Sequence, residues 1–546
     1  MAELLLDVAT MWDLVERRAS LTPDAPMLID EIDRRVTFGE FRDWAERVAA
    51  GFAAMGVGEG TPVTWQLPAR IETVVMSMAL SRLGAVQNPI IPIYREREVG
   101  FALRQTGSRV LCCPGVWRGF DYRAMAESLT GGLDPSPAVV VIDREPPEGD
   151  PRLLPPARPQ AGGDPVRWIY YTSGTTSEPK GVRHTDATLL AGGRGLALAL
   201  DMSPSDVGSI AFPFAHIAGP DYLVTVLASG FPAVIAEAFV PADAVALYRR
   251  HGVTLAGGST AFYQAFLTEQ RKHPGERIIP TLRLLSGGGA PKPPEIFYEV
   301  EREMGVKVAH GYGMTEVPMI SQGSPHDTND QLVATEGRPV LGAEVRIVSV
   351  ADGSVVGRSL VGGSAVGKSI VDGSEVDVGT DGEVRLRGPM VFKGYTDPAL
   401  TADAFDEDGF FRTGDLGHLR GDGHLVLTGR LKDVIIRKGE NISAKEIEDL
   451  LYTHPKVADV AVIGLADPER GERVCAVVER APDVGPLTFD EMVAHLHGAG
   501  LMVQKVPEQL EVVDELPRNQ TLRKVLKFEL RTTYSARPWG NPARRL

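Results

Sequence analysis

A loop rich in glycine and hydroxyl side chains follows an apolar stretch near residue 170. Residues 166–171 are apolar or aromatic apart from one arginine, which is typical of a buried strand. The loop closes on Lys180, and its small polar members are Thr172, Ser173, Gly174, Thr175 and Thr176. Glycine lets the backbone approach oxygen atoms closely, hydroxyl and N–H groups donate hydrogen bonds, and lysine supplies positive charge. The pattern predicts a polyphosphate-binding loop, with an ordinary polar turn as the alternative.

The order of residues in this loop differs from that of two common nucleotide-binding loops. A Walker loop needs Gly-Lys-Ser/Thr, whereas Lys180 precedes Gly181 here. The dinucleotide spacing Gly-x-Gly-x-x-Gly is also absent from the loop. A phosphate loop of another class is therefore expected.

Two further glycine-rich segments follow strand-like runs downstream. Residues 282–290 read LRLLSGGGA and residues 306–316 read VKVAHGYGMTE. Glycines allow a flat ring to lie on the backbone, although glycine runs more often mark turns. A carboxylate together with phosphate oxygens is the usual way to hold Mg²⁺. The candidate nucleotide-binding residues are Gly287, Gly288, Gly289, Gly311, Tyr312, Gly313, Thr315 and Glu316.

Taken in order, these segments resemble motifs of the adenylate-forming superfamily. That superfamily includes acyl-CoA synthetases, aryl-CoA ligases, peptide-synthetase adenylation domains and firefly-type luciferases. FRTGDL at 411–416, GRLKDVIIRKGENISAKEIE at 429–448 and LPRNQTLRKVLKFEL at 516–530 extend the resemblance over nearly the whole chain. The family usually has glycine where Ser177 stands. The resemblance implies a reaction in two halves: a carboxylic acid and ATP form acyl-adenylate and pyrophosphate, and coenzyme A then displaces AMP.

The resemblance also implies roles for single residues. Tyr312 would stack on adenine, Thr315 would bind phosphate, and Glu316 would hold Mg²⁺. Asp415 would accept hydrogen bonds from the ribose hydroxyls, which an ionised carboxylate does well, and Arg430 would also reach the ribose. A plain turn aspartate is the alternative for Asp415.

Two segments resemble the part of the family that binds the acid. Residues 210–219, IAFPFAHIAG, hold the family spacing with His216, which would gate the carboxylate site. A satisfied core histidine is the alternative. Gly257, Ser259 and Thr260 in VTLAGGSTAFYQAF would line the same pocket. The pocket segments are apolar and carry no obvious charge for an amino acid's ammonium group, so an aliphatic acid is expected.

The last 120 residues resemble the family's mobile part. Lys432 lies at the hinge position and, together with Lys438 and Gly439, would also bind a cofactor, with the pantetheine passing Gly439. The family's catalytic lysine normally comes six residues after a proline. Six residues after Pro517 is Arg523, and Lys524 follows. We assign Lys524 by assuming a one-residue insertion, with Arg523 as the alternative register.

Length and composition limit the kinds of protein that this chain can be. The 546 residues are too many for one ordinary core, so two or more domains are expected. A net charge of −15 argues against a nucleic-acid-binding surface, and the three cysteines lack metal or redox spacing. With no signal peptide and no run of ~18 uninterrupted apolar residues, we expect a cytoplasmic protein without a transmembrane segment. Peripheral membrane contact and a homodimer stay open.

Helix and strand patterns alternate along the first 140 residues, with helices expected over 38–55, 71–83 and 96–106 and a strand over 62–67. This alternation predicts an α/β fold with largely parallel sheets. With the resemblance, we predict a large N-terminal domain (1–430) that also contains a β-barrel-like part, a hinge (431–433) and a small mobile α+β C-terminal domain (434–546). The Gly/Ser/Val-rich residues 349–381 have no assigned function.

The leading interpretation is a carboxylic acid–CoA ligase that uses ATP, Mg²⁺ and coenzyme A. A fatty-acyl-AMP ligase, or a ligase for aryl, alicyclic or sterol-derived acids, is the nearest alternative. A non-catalytic nucleotide-binding relative is the remote one. Whether coenzyme A or a carrier protein accepts the acyl group is left open.

Overall fold

A computed structural model describes most of the chain. The described residues are 4–157, 164–172, 179–289, 292–349, 355–360, 370–371, 374–375, 379–437, 440–468, 470–482, 484–518 and 525–535. In this part of the chain, none of the helices combines the length and the apolar character needed to span a bilayer.

Fifteen α-helices are present in the described residues. They are α1 Met11–Leu21, α2 Phe38–Ala54, α3 Ile71–Leu83, α4 Glu96–Thr106, α5 Tyr122–Thr130, α6 Asp186–Ala199, α7 Ala218–Ser229, α8 Pro241–His251, α9 Thr260–Arg271, α10 Pro294–Met304, α11 Asn329–Ala334, α12 Pro398–Ala404, α13 Ala444–Tyr452, α14 Phe489–Gly498 and α15 Lys527–Ser535.

The strands of the described residues number twenty-nine. They are β1 Pro26–Ile29, β2 Arg35–Thr37, β3 Pro62–Trp65, β4 Val86–Pro89, β5 Val110–Cys113, β6 Val116–Trp117, β7 Phe120–Asp121, β8 Ala138–Val141, β9 Val166–Thr172, β10 Lys180–Thr185, β11 Gly208–Ile210, β12 Ala233–Ile235, β13 Leu255–Gly258, β14 Leu284–Gly288, β15 Lys307–Met314, β16 Val317–Gln322, β17 Arg338–Pro339, β18 Glu344–Val348, β19 Val355–Leu360, β20 Ile370–Val371, β21 Ser374–Glu375, β22 Gly382–Arg387, β23 Phe411–Leu419, β24 Leu425–Arg430, β25 Ile435–Arg437, β26 Glu440–Ile442, β27 Val457–Asp467, β28 Gly471–Arg480 and β29 Gln509–Val513.

Three mixed sheets build the first part of the chain. Their strand orders are β10-β9-β4-β3-β5-β8, β11-β12-β1-β2 and β13-β14-β15-β16-β17. Parallel pairs predominate in the first sheet, where only the β9–β10 hairpin is antiparallel. Helices between successive parallel strands are the usual crossovers of such sheets. The predicted α/β class is confirmed.

Two further sheets of five strands follow, besides the two-stranded pairs β6-β7 and β20-β21. The antiparallel sheet β19-β18-β22-β23-β24 corresponds to the β-rich part of the prediction, and β19 places residues 355–360 of the low-complexity stretch beside β18. The last sheet has the order β26-β25-β28-β27, with β29 parallel to β28. Its two faces pack against separate apolar clusters, whose buried members all come from residue 435 onward. The domain boundaries at 430–434 stay a prediction.

Local sequence explains the principal helices of the first part. Almost every side chain of α3 is buried, as expected for a helix that is apolar on all sides. The capping box of Thr37 and Glu40 starts α2 by satisfying free backbone N–H groups. Thr185 caps α6 immediately after β10, so the phosphate-loop hairpin leads directly into a buried helix.

Candidate active site

The phosphate loop is anchored at both ends by a hairpin. Thr172 ends β9, Lys180 begins β10, and these two residues are opposite each other in the antiparallel register. The loop members Ser173, Gly174, Thr175 and Thr176 lie outside the described residues. The hairpin therefore fixes both ends of the loop, at Thr172 and at Lys180.

The segment 392–396 joins this hairpin to the Thr315–Glu316 turn. The Thr396 N–H donates to the Gly181 carbonyl (2.7 Å), and the Lys393 N–H donates to the Arg183 carbonyl (2.8 Å). At its other end, the Phe392 N–H donates to the Glu316 carbonyl (3.0 Å). One stretch of backbone thus places the phosphate-loop lysine and the candidate metal ligand side by side.

Glycines meet at the carboxyl ends of three parallel strands. Gly258 of β13 pairs with Gly287 of β14, and Gly288 of β14 pairs with Gly311 of β15. A Cβ on Gly287 would lie 2.3 Å from the Gly258 carbonyl oxygen, and a Cβ on Gly288 would lie 2.5 Å from that of Gly311. Glycine is therefore required by the close approach of the strands. The carboxyl ends of parallel strands are also where ligands usually bind in α/β folds.

The glycines that flank this group follow the same pattern. Gly289 has φ +80°, a left-handed conformation that favours glycine. A Cβ on Gly313 would lie 2.3 Å from the Pro318 carbonyl oxygen, across the β15–β16 hairpin. Sequence reasoning ended the strand before the glycines, whereas β15 runs through them to Met314 because β14 and β16 pair with it on both sides.

Asp415 lies between a tyrosine and an arginine. Its Oδ2 accepts a hydrogen bond from the Tyr312 hydroxyl (2.6 Å), and its Oδ1 lies 2.7 Å from Arg430 Nε. Asp415 and Arg430 are opposite each other on β23 and β24. The Asp415 charge raises the pKa of Arg430, so the guanidinium stays charged. Each carboxylate oxygen retains a lone pair, which suits the predicted contact with ribose hydroxyls.

Tyr312 is more enclosed than the stacking prediction implied. Its side chain is 6% exposed and packs in the apolar cluster between the third sheet and the antiparallel sheet. Its hydroxyl is committed to Asp415. Tyr312 therefore positions Asp415 in this conformation, and adenine stacking stays a prediction.

The Thr315–Glu316 turn is held by a histidine that sequence reasoning missed. His184 Nε2 lies 2.7 Å from the Thr315 carbonyl oxygen, and its Nδ1 lies 2.9 Å from Thr188 Oγ1. Since a carbonyl only accepts, Nε2 carries the proton. Burial lowers the pKa of His184 to about 4, so the imidazole is neutral near pH 7. The only local signal for this residue was its place just before the Thr185 cap.

We expect the difference in unfolding free energy between the wild type and a His184→Gln variant to depend on pH. The unfolded histidine binds a proton below about pH 6.5, whereas the folded one resists protonation down to about pH 4. Acid therefore favours the unfolded wild type, and lowering the pH from 6.5 to 4 costs it up to about 3 kcal/mol of unfolding free energy through this group. Urea unfolding of both proteins across this range measures the effect.

The quantity that tests the assignment is the wild-type unfolding free energy minus that of the His184→Gln variant, measured at each pH. Burial raises the pKa of Asp221 to about 8, and that carboxyl changes the stability of both proteins in the opposite direction over the same range. The wild-type advantage over the variant should shrink as the pH falls. A difference that is constant from pH 6.5 to 4 would contradict the assignment.

His216 lies in the turn that leads into α7. Its Nδ1 accepts from the Ala218 N–H (3.3 Å), and its carbonyl accepts from the Gly219 N–H (2.8 Å). His216 and Thr315 line one cleft together with apolar and aromatic neighbours. The other lining residues are Pro89, Ile91, Tyr94, Tyr170, Tyr171, Ala215 and Ile217. The cleft connects the predicted acid gate to the nucleotide motif.

The remaining pocket residues lie at the end of β13 and the start of α9. Gly257 belongs to β13, Ser259 precedes α9 and is fully buried, and Thr260 is the first residue of that helix. None of the three lines the described cleft around His216. Their predicted contact with the acid stays untested.

The predicted hinge is a single short turn. Lys432 is the middle residue of the 3₁₀ turn Leu431–Asp433, and its side chain is exposed. Asp433 Oδ1 accepts from Arg531 Nη2 of α15 (2.8 Å). Burial alone would raise the pKa of Asp433, but the charges of Lys527 and Arg531 hold it below its usual range. Lys438 and Gly439 lie outside the described residues.

Lys524 and its alternative Arg523 also lie outside the described residues. The chain on either side is well anchored: Arg518 and Val525 form an antiparallel bridge, and the Leu526 N–H donates to the Pro517 carbonyl (2.8 Å). The choice between the two registers stays open.

Comparison with known proteins decides the family. Residues 15–396 match the family model described as AMP-binding enzyme, and residues 446–522 match that of the AMP-binding enzyme C-terminal domain. The chain belongs to the AMP-binding enzyme family. The predicted relationship is confirmed, and so is the expectation that this family member is an enzyme.

Similar proteins cover nearly the whole of this AMP-binding enzyme. The medium-chain fatty-acid–CoA ligase of Escherichia coli is 31% identical over 542 residues, which span 96% of this chain and 90% of the relative. The salicyl-AMP ligase/salicyl-S-ArCP synthetase of Mycobacterium tuberculosis is 31% identical over 535 residues, spanning 94% and 87%. The crystal structure of ATP-bound MatB from Rhodopseudomonas palustris superposes with a TM-score of 0.84 at 26% identity, covering 96% of this chain and 99% of that one.

Proposed function

We propose that this enzyme is an ATP-dependent carboxylic acid–CoA ligase. One observation carries the proposal beyond the family level: Lys180 and Glu316 both contact Tyr395, at the junction of the phosphate-loop hairpin and the Thr315–Glu316 turn. A lysine for phosphates and a carboxylate for a metal thus lie within one side chain of each other. ATP bound through both would place its phosphates beside the cleft lined by His216 and Thr315.

The first half-reaction brings two anions together. The acid carboxylate attacks the α-phosphorus of ATP, the bond to the leaving pyrophosphate breaks, and acyl-adenylate forms. Like unit charges 4 Å apart repel by roughly 1 kcal/mol in water and by about 4 kcal/mol at an effective dielectric near 20. Lys180 would neutralise the leaving phosphates, and Lys524 would lie between the carboxylate and the α-phosphate. Preorganised charge of this kind provides the larger part of such catalysis.

Glu316 fits a magnesium ion bound through substrate phosphates. Its Oε1 accepts from Tyr395, while its Oε2 has no hydrogen-bond partner among the described residues, and the side chain is only partly buried. Mg²⁺ is commonly held by one or two carboxylates together with phosphate oxygens. When bound, the ion would supply positive charge to the phosphates.

The second half-reaction needs a path for the coenzyme A thiol. Its sulfur attacks the acyl carbon, and AMP leaves with the bonding electrons. Rotation about Lys432 would withdraw Lys524 and bring Lys438 and Gly439 to the adenylate. The small C-terminal domain would thus close over the site with a different surface in each half-reaction. The single turn Leu431–Asp433 supports a hinge because few backbone angles need to change there.

A Lys432→Pro variant should impair the second half-reaction more than the first. Proline fixes φ near −65° and so restricts the rotation. Adenylation is measured as acid-dependent pyrophosphate release, and the second half as thioester formation from supplied acyl-adenylate. Lys432→Ala, which keeps the backbone free, should impair the second half less than proline does. Equal losses in both halves for the proline variant would count against the hinge.

An aliphatic acid is the favoured substrate. Pro89, Ile91, Ala215 and Ile217 give the cleft near His216 an apolar lining. Aryl acids are the second candidate, because Tyr94, Tyr170 and Tyr171 also line it and a salicyl-AMP ligase is 31% identical. That relative is also named as a salicyl-S-ArCP synthetase, so coenzyme A and a carrier protein are both kept as candidate acceptors. A cytoplasmic location stays a prediction.

Pyrophosphate release across a panel of acids tests the function. The panel contains hexanoate, decanoate, hexadecanoate, cyclohexanecarboxylate, benzoate and salicylate, each with ATP and Mg²⁺, with and without coenzyme A. We expect acid-dependent release with the aliphatic acids and a thioester when coenzyme A is present. Release without a thioester would indicate an acyl-AMP ligase. ATP binding without release from any acid would indicate a non-catalytic relative.

A further inference from the structure

Tyr395 joins the two charged groups of the candidate ATP site. Its hydroxyl lies 2.8 Å from Glu316 Oε1, and its side chain is almost completely buried. A carboxylate can only accept, so the phenol donates. The hydrogen bond holds one oxygen of Glu316 and leaves the other available.

The same ring contacts the phosphate-loop lysine. Lys180 Nζ lies 5.2 Å from the centroid of the Tyr395 ring, within the range of a cation–π contact. In the described part of the chain, Lys180 forms no ion pair with a carboxylate, although Glu316 accepts a hydrogen bond from the hydroxyl of the same tyrosine. A direct Lys180–Glu316 pair would neutralise both groups and compete with the phosphates. Tyr395 gives each group a partner that leaves its charge in place.

The backbone of Tyr395 is held from several sides. Tyr395 and Val182 form an antiparallel bridge, and the Tyr395 N–H donates to Thr401 Oγ1 (2.9 Å). The preceding Gly394 accepts from the Arg183 N–H (3.1 Å). The ring of Phe392 packs against that of Tyr395, with centroids 4.8 Å apart. The position of the hydroxyl is therefore set by the fold before any substrate arrives.

We propose that Tyr395 is a positioning residue that aligns Glu316 for the metal and holds Lys180 apart from it for the phosphates. The metal role of Glu316 belongs to the proposed function, so this inference rests on it. The hydroxyl acts on Glu316 and the ring face acts on Lys180. Tyr395→Phe removes only the first interaction, whereas Tyr395→Leu removes both.

The test is the Mg²⁺ dependence of ATP binding to the full chain. We would measure the ATP-induced rise in melting temperature over a range of Mg²⁺ concentrations, and in parallel the Mg²⁺ and ATP dependence of pyrophosphate release. A hydrogen bond to a charged group corresponds to about a tenfold effect at the low end of its range. Tyr395→Phe should therefore raise the half-maximal Mg²⁺ concentration about tenfold in both measurements. Tyr395→Leu should in addition raise the KM for ATP several-fold, about the effect of a lost cation–π contact.

Tyr122→Phe is the matched control. Tyr122 is also a buried tyrosine, and its hydroxyl donates to the Pro92 carbonyl (2.8 Å) instead of to Glu316. It should lose stability to a similar degree while keeping the wild-type Mg²⁺ dependence. Equal Mg²⁺ dependence in wild type, Tyr395→Phe and Tyr122→Phe would overturn the inference. A wild type that binds Mg²⁺ and ATP without acid-dependent pyrophosphate release would overturn the proposed function alone, since the melting comparison still reports on Tyr395.

Discussion

Lys524→Ala is expected to lower acid-dependent pyrophosphate release by about 10²- to 10³-fold, the usual effect of removing one preorganised charge partner from a transition state. The lysine would lie between the carboxylate and the α-phosphate, where the repulsion between the reactants is largest. The second half-reaction joins a thiol to an adenylate already formed and needs no cation at that point. Thioester formation from supplied acyl-adenylate should therefore remain close to wild type.

Arg523→Ala decides the register of this loop. Both residues lie between the anchored Arg518 and Val525, so the two variants change neighbouring positions of one loop. If Lys524 is correctly assigned, Arg523→Ala should retain most of its pyrophosphate release. The reverse pattern, with the large loss in Arg523→Ala, would show that the family spacing from Pro517 holds without an insertion. Both activities are measured on the same preparations, so a folding defect would appear as a loss in both halves.

Asp415→Asn is expected to raise the KM for ATP about 10- to 100-fold, and to lower the free energy of unfolding by about 1.5–3 kcal/mol, since hydrogen bonds to charged groups are worth about that much. Asp415 is 3% exposed, and its oxygens accept from Tyr312 and Arg430. The amide keeps the shape of the side chain but removes the charge that compensates the guanidinium and would accept from ribose. ATP kinetics and urea unfolding measure the two effects.

Two variants of Tyr312 distinguish the positioning of Asp415 by the hydroxyl from adenine stacking by the ring. Tyr312→Phe keeps the ring and removes the hydroxyl that holds Asp415, whereas Tyr312→Ala removes both. If the ring stacks on adenine, the phenylalanine variant should raise the KM for ATP much less than the alanine variant. Equal effects would mean that the hydroxyl acting through Asp415 is the whole contribution. An unchanged KM in Asp415→Asn would contradict the ribose assignment itself.

Much of the local structure could be predicted from the sequence. The periodicity that predicts helices over 71–83 and 96–106 coincides with α3 and α4, and the helix expected at 38–55 is α2. The helix α2 can be read from the sequence because its apolar spacing and its capping box lie within a few residues of each other. The helix α3 can be read because its apolar run is too long for an ordinary strand. The ends of strands were predicted less accurately, since the strand expected at 62–67 is Pro62–Trp65. A strand ends where its pairing with neighbouring strands ends, and a short stretch of sequence does not contain that information.

The family and the order of the site motifs could be determined from the sequence itself, because glycine, hydroxyl, lysine and carboxylate residues occur in a fixed order that can be read without a structure. Only the tertiary structure decided how those motifs support one another. His184 contacts Thr315 across 131 positions, and Tyr395 contacts Glu316 across 79. Carbonyl oxygens of adjoining strands require glycine at 257, 287, 288 and 313. Such contacts depend on sheet order and register, which bring distant residues together and leave no periodic trace in the chain.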